Sequence, residues 1–334
     1  MKILYIGQKY DYGNPDRGLG YTYYNFYNSL INSKYQLVYF PFDEIMIKEG
    51  REKMNQMLLE RVKLEKTDVC FFCISTNQIK KETIKKINEK TINWFEDDHW
   101  RFDNFSKYWA SCFDWITTTD SRAIEKYHKI GYENVIKTQW ACNQFLYKPL
   151  PLEKKYDVSF VGQPHGNRKK MVRKLEENGI KVDCWGRGWP NGRISQKRMI
   201  EIFSQSKISL SFTESSTRIP VKAFLAIFLR PHWLGNLKSL INRRKRKQIK
   251  GRNFEIPGCR GFLLTNFADN LEDYYQDGKE IVVYKDVEDL IKKIKYYLKN
   301  NQERESIALA AYQRTIREHT YDQRFNQIFK AIKL

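Results

Sequence analysis

Residues 250–267 read K-G-R-N-F-E-I-P-G-C-R-G-F-L-L-T-N-F, and residues 274–284 continue Y-Y-Q-D-G-K-E-I-V-V-Y. The first run sets one carboxylate, Glu255, close after the cations Lys250 and Arg252, on a short helical segment that ends in glycine. An apolar strand (262–264), an acidic-start helix and a second apolar strand follow. A carboxylate in that position can accept two hydroxyl hydrogen bonds from a ribose, while nearby turn amides face a diphosphate.

Two further clusters carry chemistry. N-P-D-R-G-L-G (14–20) follows the first apolar run and places Gly18 and Gly20 at a helix start, where bare backbone can approach a phosphate or sugar. Residues 94–103 read W-F-E-D-D-H-W-R-F-D, a density of acids, tryptophans, histidine and arginine unusual in a solvated loop. Tryptophan stacks on sugar faces, and Asp98 or His99 can orient an acceptor hydroxyl or remove its proton. A salt-bridged structural loop around Arg101 is the competing reading. Adjacent Asp97, Asp98 and His99 cannot all point inward, so no metal site is expected. Asp120 reads as a helix N-cap.

The elements that position these residues alternate. Runs 2–7, 36–41, 68–74, 91–95 and 113–119 read as strands, with helical patterns at 20–32, 49–65, 78–88 and 121–130. The prolines of K-P-L-P-L-E-K-K (148–155) break the pattern, and strands resume at 156–162, 180–185, 207–212, 261–265 and 280–284. The fold class is therefore α/β, with two tandem Rossmann-like domains and a cleft at the carboxyl ends of their strands. The domains are expected at 1–150 and 151–318, with a basic and apolar insertion at 218–250 and a final helix at 319–334.

Across 334 residues, 59 Lys and Arg stand against 39 Asp and Glu, a formal charge of 59 − 39 = +20. That excess favours anionic partners without choosing among them. It concentrates between Arg218 and Asn253, a stretch with eleven basic residues and no acid. There Trp233, Leu237, Leu240 and Ile241 share a helical face beside R-R-K-R-K. Such a segment either lies on an anionic membrane surface or buries its apolar face in a helical hairpin. The six cysteines, Cys70-x-x-Cys73 included, read as reduced core residues of a cytosolic protein. No run reaches the ~20 apolar residues that span a bilayer. The expected location is cytoplasmic, with peripheral attachment to the inner face of a membrane as an added expectation.

F-E-I-P-G-C-R-G-F-L-L resembles the donor-nucleotide signature of group-1 GT-B glycosyltransferases, in particular their spore-maturation-type (CgeB-like) branch. The resemblance covers residues 156–321 well and the first half more loosely. It implies a C-terminal helix crossing back to the first domain, a glycine loop (Gly18, Gly20) facing the donor diphosphate, and no cofactor or essential metal. In F-V-G-Q-P-H-G-N-R (160–168) it implies that Gly162, His165, Asn167 and Arg168 neutralise the leaving diphosphate. In C-W-G-R-G-W-P-N-G-R (184–193) it implies a base-binding loop, with Trp185 or Trp189 stacking, Gly186 in the turn, and Arg187 or Arg193 reaching phosphate or base. Thr213, Glu214 and Ser215 are candidates at the transferred sugar, Glu214 among the catalytic ones. Lys250, Arg252 and Glu255 hold the donor. Where the best-known pattern carries a first glutamate, this chain has Lys247, which leaves retention or inversion open.

The function implied is transfer of a hexose-type sugar from a nucleotide-sugar to a hydroxyl of a glycan or lipid-linked acceptor. The partners are the nucleotide-sugar, that acceptor and an anionic membrane surface through 218–250, with no nucleic acid. Nucleic-acid binding on an α/β scaffold is the alternative class, and a sugar-nucleotide epimerase or hydrolase is an alternative within the fold.

Overall fold

The computed structural model describes residues 1–213 and 232–334. Two compact units divide the chain: Met1–Gln139 with residues 232–240 and Tyr321–Leu334, and residues 140–213 with Ile241–Thr320. The division thus falls before Pro149 and Pro151. Residues 140–147 go with the second unit, where the Cys142 amide donates to the His319 carbonyl at 2.8 Å.

Near-continuous apolar runs form the inner strands, which are buried on both faces, while the edge strands at 36–41 and 135–137 stay partly exposed. In the first unit β1 (Lys2–Gly7), β2 (Gln36–Pro41), β3 (Val69–Phe72), β4 (Lys90–Phe95), β5 (Trp115–Thr118) and β6 (Val135–Lys137) form one parallel sheet in the order 2-1-3-4-5-6. The second unit holds β7 (Tyr156–Val161), β8 (Asp183–Trp185), β9 (Ser206–Ser211), β10 (Leu263–Asn266) and β11 (Val282–Tyr284), parallel in the order 11-10-9-7-8. Each sheet reverses its winding once, between β1 and β3 and between β7 and β9. Ligands of such sheets bind outside the carboxyl ends of the strands at that reversal.

Helix Tyr321–Ala331 belongs to the first unit and completes its aromatic core. Phe325 meets Phe71 edge-on at 5.6 Å, Phe26 lies 5.1 Å from Tyr321, and the Tyr21 and Tyr321 hydroxyls are 2.9 Å apart. Several local features depart from the periodicity. The expected helix 49–65 runs from Phe42 to Glu65 with a break at Gly50, whose φ of 80° suits glycine. The expected helix 20–32 is helical from 21 to 31, with π geometry over Tyr23–Tyr27. Residues 78–88 supply one α turn, Lys81–Ile84.

Helix Trp233–Lys245 turns its small residues inward. A Cβ on Gly235 would lie 2.2 Å from the Asp103 carbonyl oxygen, Ser239 is buried, and His232 just ahead stacks on Tyr108. Trp233, Leu234 and Ile241 are 43%, 58% and 45% exposed. Residues 214–231 of the insertion and its approach, with the candidates Glu214 and Ser215, lie outside the described residues.

Candidate functional site

In the second unit the winding reversal between β7 and β9 is occupied by Arg168, the first residue of helix Arg168–Glu177. Its guanidinium donates to the Gln163 carbonyl (2.8 Å) just past β7 and to the Phe212 carbonyl (3.0 Å) just past β9. Beside it, the buried Thr213 donates its amide to Asn266 Oδ1 (2.9 Å) and its hydroxyl to the Phe267 carbonyl (2.8 Å), joining the ends of β9 and β10. A Cβ on Gly186 would come within 2.4 Å of the Gly162 carbonyl oxygen, so glycine there lets the loops after β7 and β8 touch. Trp189 strengthens that contact by donating its indole N–H to the same oxygen at 2.8 Å. Trp185, by contrast, is buried edge-on against Tyr156. His165, Asn167, Arg187 and Arg193 lie on the exposed surface of these loops.

Glu255 lies on helix Arg252–Gly258, whose start is fixed by Asn253 Oδ1 accepting from the Lys250 amide at 2.9 Å. The Lys250 ammonium turns to Gln248 Oε1 at 3.0 Å. The Glu255 side chain has no solvent exposure. One oxygen accepts from the Tyr147 hydroxyl at 2.7 Å and the other is ion-paired with Arg252. Gln196 donates to the Tyr147 hydroxyl at 2.7 Å, so Tyr147 is itself oriented. Arg252 also donates to the Val161 carbonyl at 3.3 Å and stays 29% exposed. Two guanidiniums, Arg168 and Arg252, therefore grip carbonyls on either side of Gly162. The structure brings together Gly162, Arg168, Gly186, Trp189, Thr213, Arg252 and Glu255. It leaves Trp185 in the interior and His165, Asn167 and Arg193 at the surface.

In the first unit the glycine loop folds on itself. Asp11 donates to the Gly18 carbonyl (2.9 Å), Gly20 donates to the Lys9 carbonyl (2.8 Å), and the Lys9 and Tyr10 amides go to Asp43. Asp98 is fully buried and accepts from the Tyr127 hydroxyl at 2.9 Å. Burial pushes its carboxyl up to about 6, against the pull of bonds from Ser106, Thr118 and Tyr127. His99 is buried beside it, and the Asp120 side chain caps helix Ser121–His128 by accepting from the Arg122 amide. Glu96, one residue past β4, is half-buried and within 3.7 Å of the Cys73 thiol. Burial first, and then the charge of Asp97, pushes it up to about 7.

The chain superposes on sucrose-phosphate synthase from Thermosynechococcus elongatus (TM-score 0.63, 8% identity, 99% of each chain). It also superposes on Anabaena Alr3699/HepE in complex with UDP-glucose (TM-score 0.65, 11% identity, 99% of each chain). A mutant of S. aureus TarM, in complex with Fondaparinux, alpha-GlcNAc-glycerol and UDP, matches 84% of this chain and 59% of its own (TM-score 0.53, 10% identity). At these identities the likeness establishes the fold. Residues 168–330 match the family described as Glycosyl transferase-like. Residues 168–330 carry a glycosyl transferase-like domain, and the fold is GT-B. Over 238 residues the chain is 25% identical to spore protein CgeB of Bacillus subtilis (strain 168), covering 69% of this chain and 71% of that protein.

Two groups of the site carry no signature of their own in the sequence. Tyr147 lies far from Glu255 along the chain and had no local signature. Glu96 was overshadowed by the neighbouring Asp98 and His99, although its place directly after a buried strand is where chemistry-bearing side chains of such sheets sit.

Proposed function

We propose that the protein transfers a hexose-type sugar from a nucleoside-diphosphate-sugar to a hydroxyl of a glycan or lipid-linked acceptor. The reading rests on Arg168 and Arg252, both held at the β7 end beside the winding reversal of the second sheet. Guanidiniums braced by backbone carbonyls keep their charge aimed at a diphosphate and stabilise it as the glycosidic oxygen departs. Glu255 braces Arg252 in this state. It reaches the ribose hydroxyls once the Tyr147 or Arg252 bond is exchanged for them. Thr213 and the glycines of the adjoining loops line the approach of the sugar and base. UDP-type donors are the first choice, because Alr3699/HepE and TarM are seen with UDP or UDP-glucose. Neither a cofactor nor a metal is required.

Isothermal titration with UDP, GDP, TDP and CMP sugars, followed by product analysis with glycan and lipid-linked acceptors, tests the reading. One donor should bind and be consumed, and Arg252→Ala should weaken its binding at least tenfold. Failure of every nucleotide-sugar to bind the folded protein would remove the proposal.

The exposed Trp233, Leu234 and Ile241 beside the basic residues 243–247 support attachment to an anionic bilayer, on the cytoplasmic side of a membrane. Among the described residues no helix is long and apolar enough to cross one. Co-sedimentation with phosphatidylserine vesicles should be salt-sensitive and lost in Trp233→Ser/Ile241→Ser. Equal recovery with neutral vesicles would exclude this attachment.

A further inference from the structure

We infer that the transferred sugar is acidic, its carboxylate held in a lysine-walled cavity at the carboxyl ends of β9, β10 and β11; this rests on the transfer reading above. The cavity measures about 330 Å³ and lies wholly within the second unit. At ~30 Å³ per water it has room for about eleven waters, enough for a monosaccharide and more than a lone inorganic anion fills. It adjoins the donor site at two points. Phe212, whose carbonyl accepts from Arg168, lines one side. Asn266, which holds the Thr213 amide, lines another.

Asn266 is placed to donate. It is 4% exposed, and its Oδ1 is committed to the Thr213 amide at 2.9 Å. That bond fixes the orientation of the side-chain amide, because only its oxygen can accept from an N–H. Among the described residues Nδ2 donates to no partner. An enclosed amide with unspent hydrogens costs free energy until an acceptor reaches it, and the cavity is the route by which one arrives.

The charges around the cavity match that donor. Lys170 and Lys174 reach it from helix Arg168–Glu177, Lys247 from the run before Lys250, and Lys285 from the end of β11. None of the four is ion-paired among the described residues. Two acids share the lining. Asp286 is spent on capping helix Val287–Lys299, where it accepts from the Asp289 amide at 2.9 Å. Glu288 is then the one uncommitted carboxylate against four ammoniums. Asp289, whose charge Lys285 also feels, is ion-paired with Lys293 at 2.9 Å. Ammoniums gathered in one concavity repel each other, and an anion between them relieves the repulsion. An occupant met by N–H donors must present acceptors and negative charge, and a hexuronate joins a sugar ring to a carboxylate.

The test is calorimetry on the full-length protein. It compares UDP-glucose with UDP-glucuronate and UDP-galacturonate, and GDP-mannose with GDP-mannuronate, beside the free nucleoside diphosphates. One acidic donor should bind about tenfold more tightly than its neutral counterpart, with the advantage shrinking as salt rises. Lys247→Gln/Lys285→Gln should abolish that advantage and leave the affinity for the free diphosphate unchanged. Asn266→Asp keeps an oxygen for the Thr213 amide and puts a second oxygen where Nδ2 stood, so it should reverse the preference. Equal binding of acidic and neutral donors by the wild type, or a preference that survives in the lysine double variant, would overturn the inference. Inorganic phosphate that binds the four lysines without displacing any donor would overturn it too, by marking an effector site. A protein that binds none of these nucleotides would instead fault the transfer reading.

Discussion

The Tyr147 hydroxyl donates to Glu255 Oε1 at 2.7 Å across 108 residues of chain. With Arg252 on the other oxygen, a carboxylate with no solvent contact keeps two partners. A buried ion is tolerable only while it is paired, and removing one partner leaves the whole desolvation penalty on the other. Arg252→Ala should therefore destabilise the second unit by roughly 3 kcal/mol, and Tyr147→Phe by about 1–2 kcal/mol. Arg252→Ala combined with Glu255→Gln should be more stable than Arg252→Ala alone. Urea unfolding followed by tryptophan fluorescence reads all three.

Gly258 closes the same helix against the segment that carries Tyr147. A Cβ there would lie 2.3 Å from Cys142 Sγ. Gly258→Ala should cost about 1–3 kcal/mol by overpacking, and Cys142→Ala should restore most of it. Additive losses in the double variant would show that the contact is not the cause.

Arg168 spans two carbonyls just past the ends of separate strands, which an ammonium cannot do from one position. Arg168→Lys should weaken nucleotide-sugar binding by about tenfold, on the scale of one lost charge-assisted bond. Calorimetry comparing it with Lys169→Ala, on the exposed side of the same helix, separates the bridge from general charge.

Asp98 links stability to pH. Its folded carboxyl titrates at about 6 against an ordinary 3.8, so the folded state binds the proton more tightly. Stability from this group is complete below pH ~4 and is lost as pH rises through ~6, by on the order of 3 kcal/mol. Asp98→Asn should flatten that slope, while its amide oxygen still accepts from Tyr127. Denaturation midpoints measured from pH 4 to 7.5 check the sign.

Strands were legible where an apolar run ended on a turn residue, so β1 and β2 have the bounds that their residue types predict. The three residues of β6 are half-exposed at a sheet edge and carry too little pattern to be noticed. Residues 78–88 have helical spacing, yet only Lys81–Ile84 forms a regular turn. In the site, Gly162, Arg168, Arg252 and Glu255 stood out as glycine or charge beside strand ends. Their partners did not, because the pairing of Glu255 with Tyr147 and of Glu96 with Cys73 comes from sheet order rather than from spacing. Trp185 shows the same limit. Parity along a three-residue strand decides whether its ring faces a ligand or Tyr156.

Helix Tyr321–Ala331 gives the nascent chain a particular timetable. The unit that leaves the ribosome first lacks the Tyr321, Phe325 and Phe329 rings until the whole of the second unit has been made. Its aromatic layer stays unfinished while the later unit already has all of its own strands. Chaperone demand during synthesis should consequently fall on the first unit, and a stop just before Tyr321 would harm that unit more than the second.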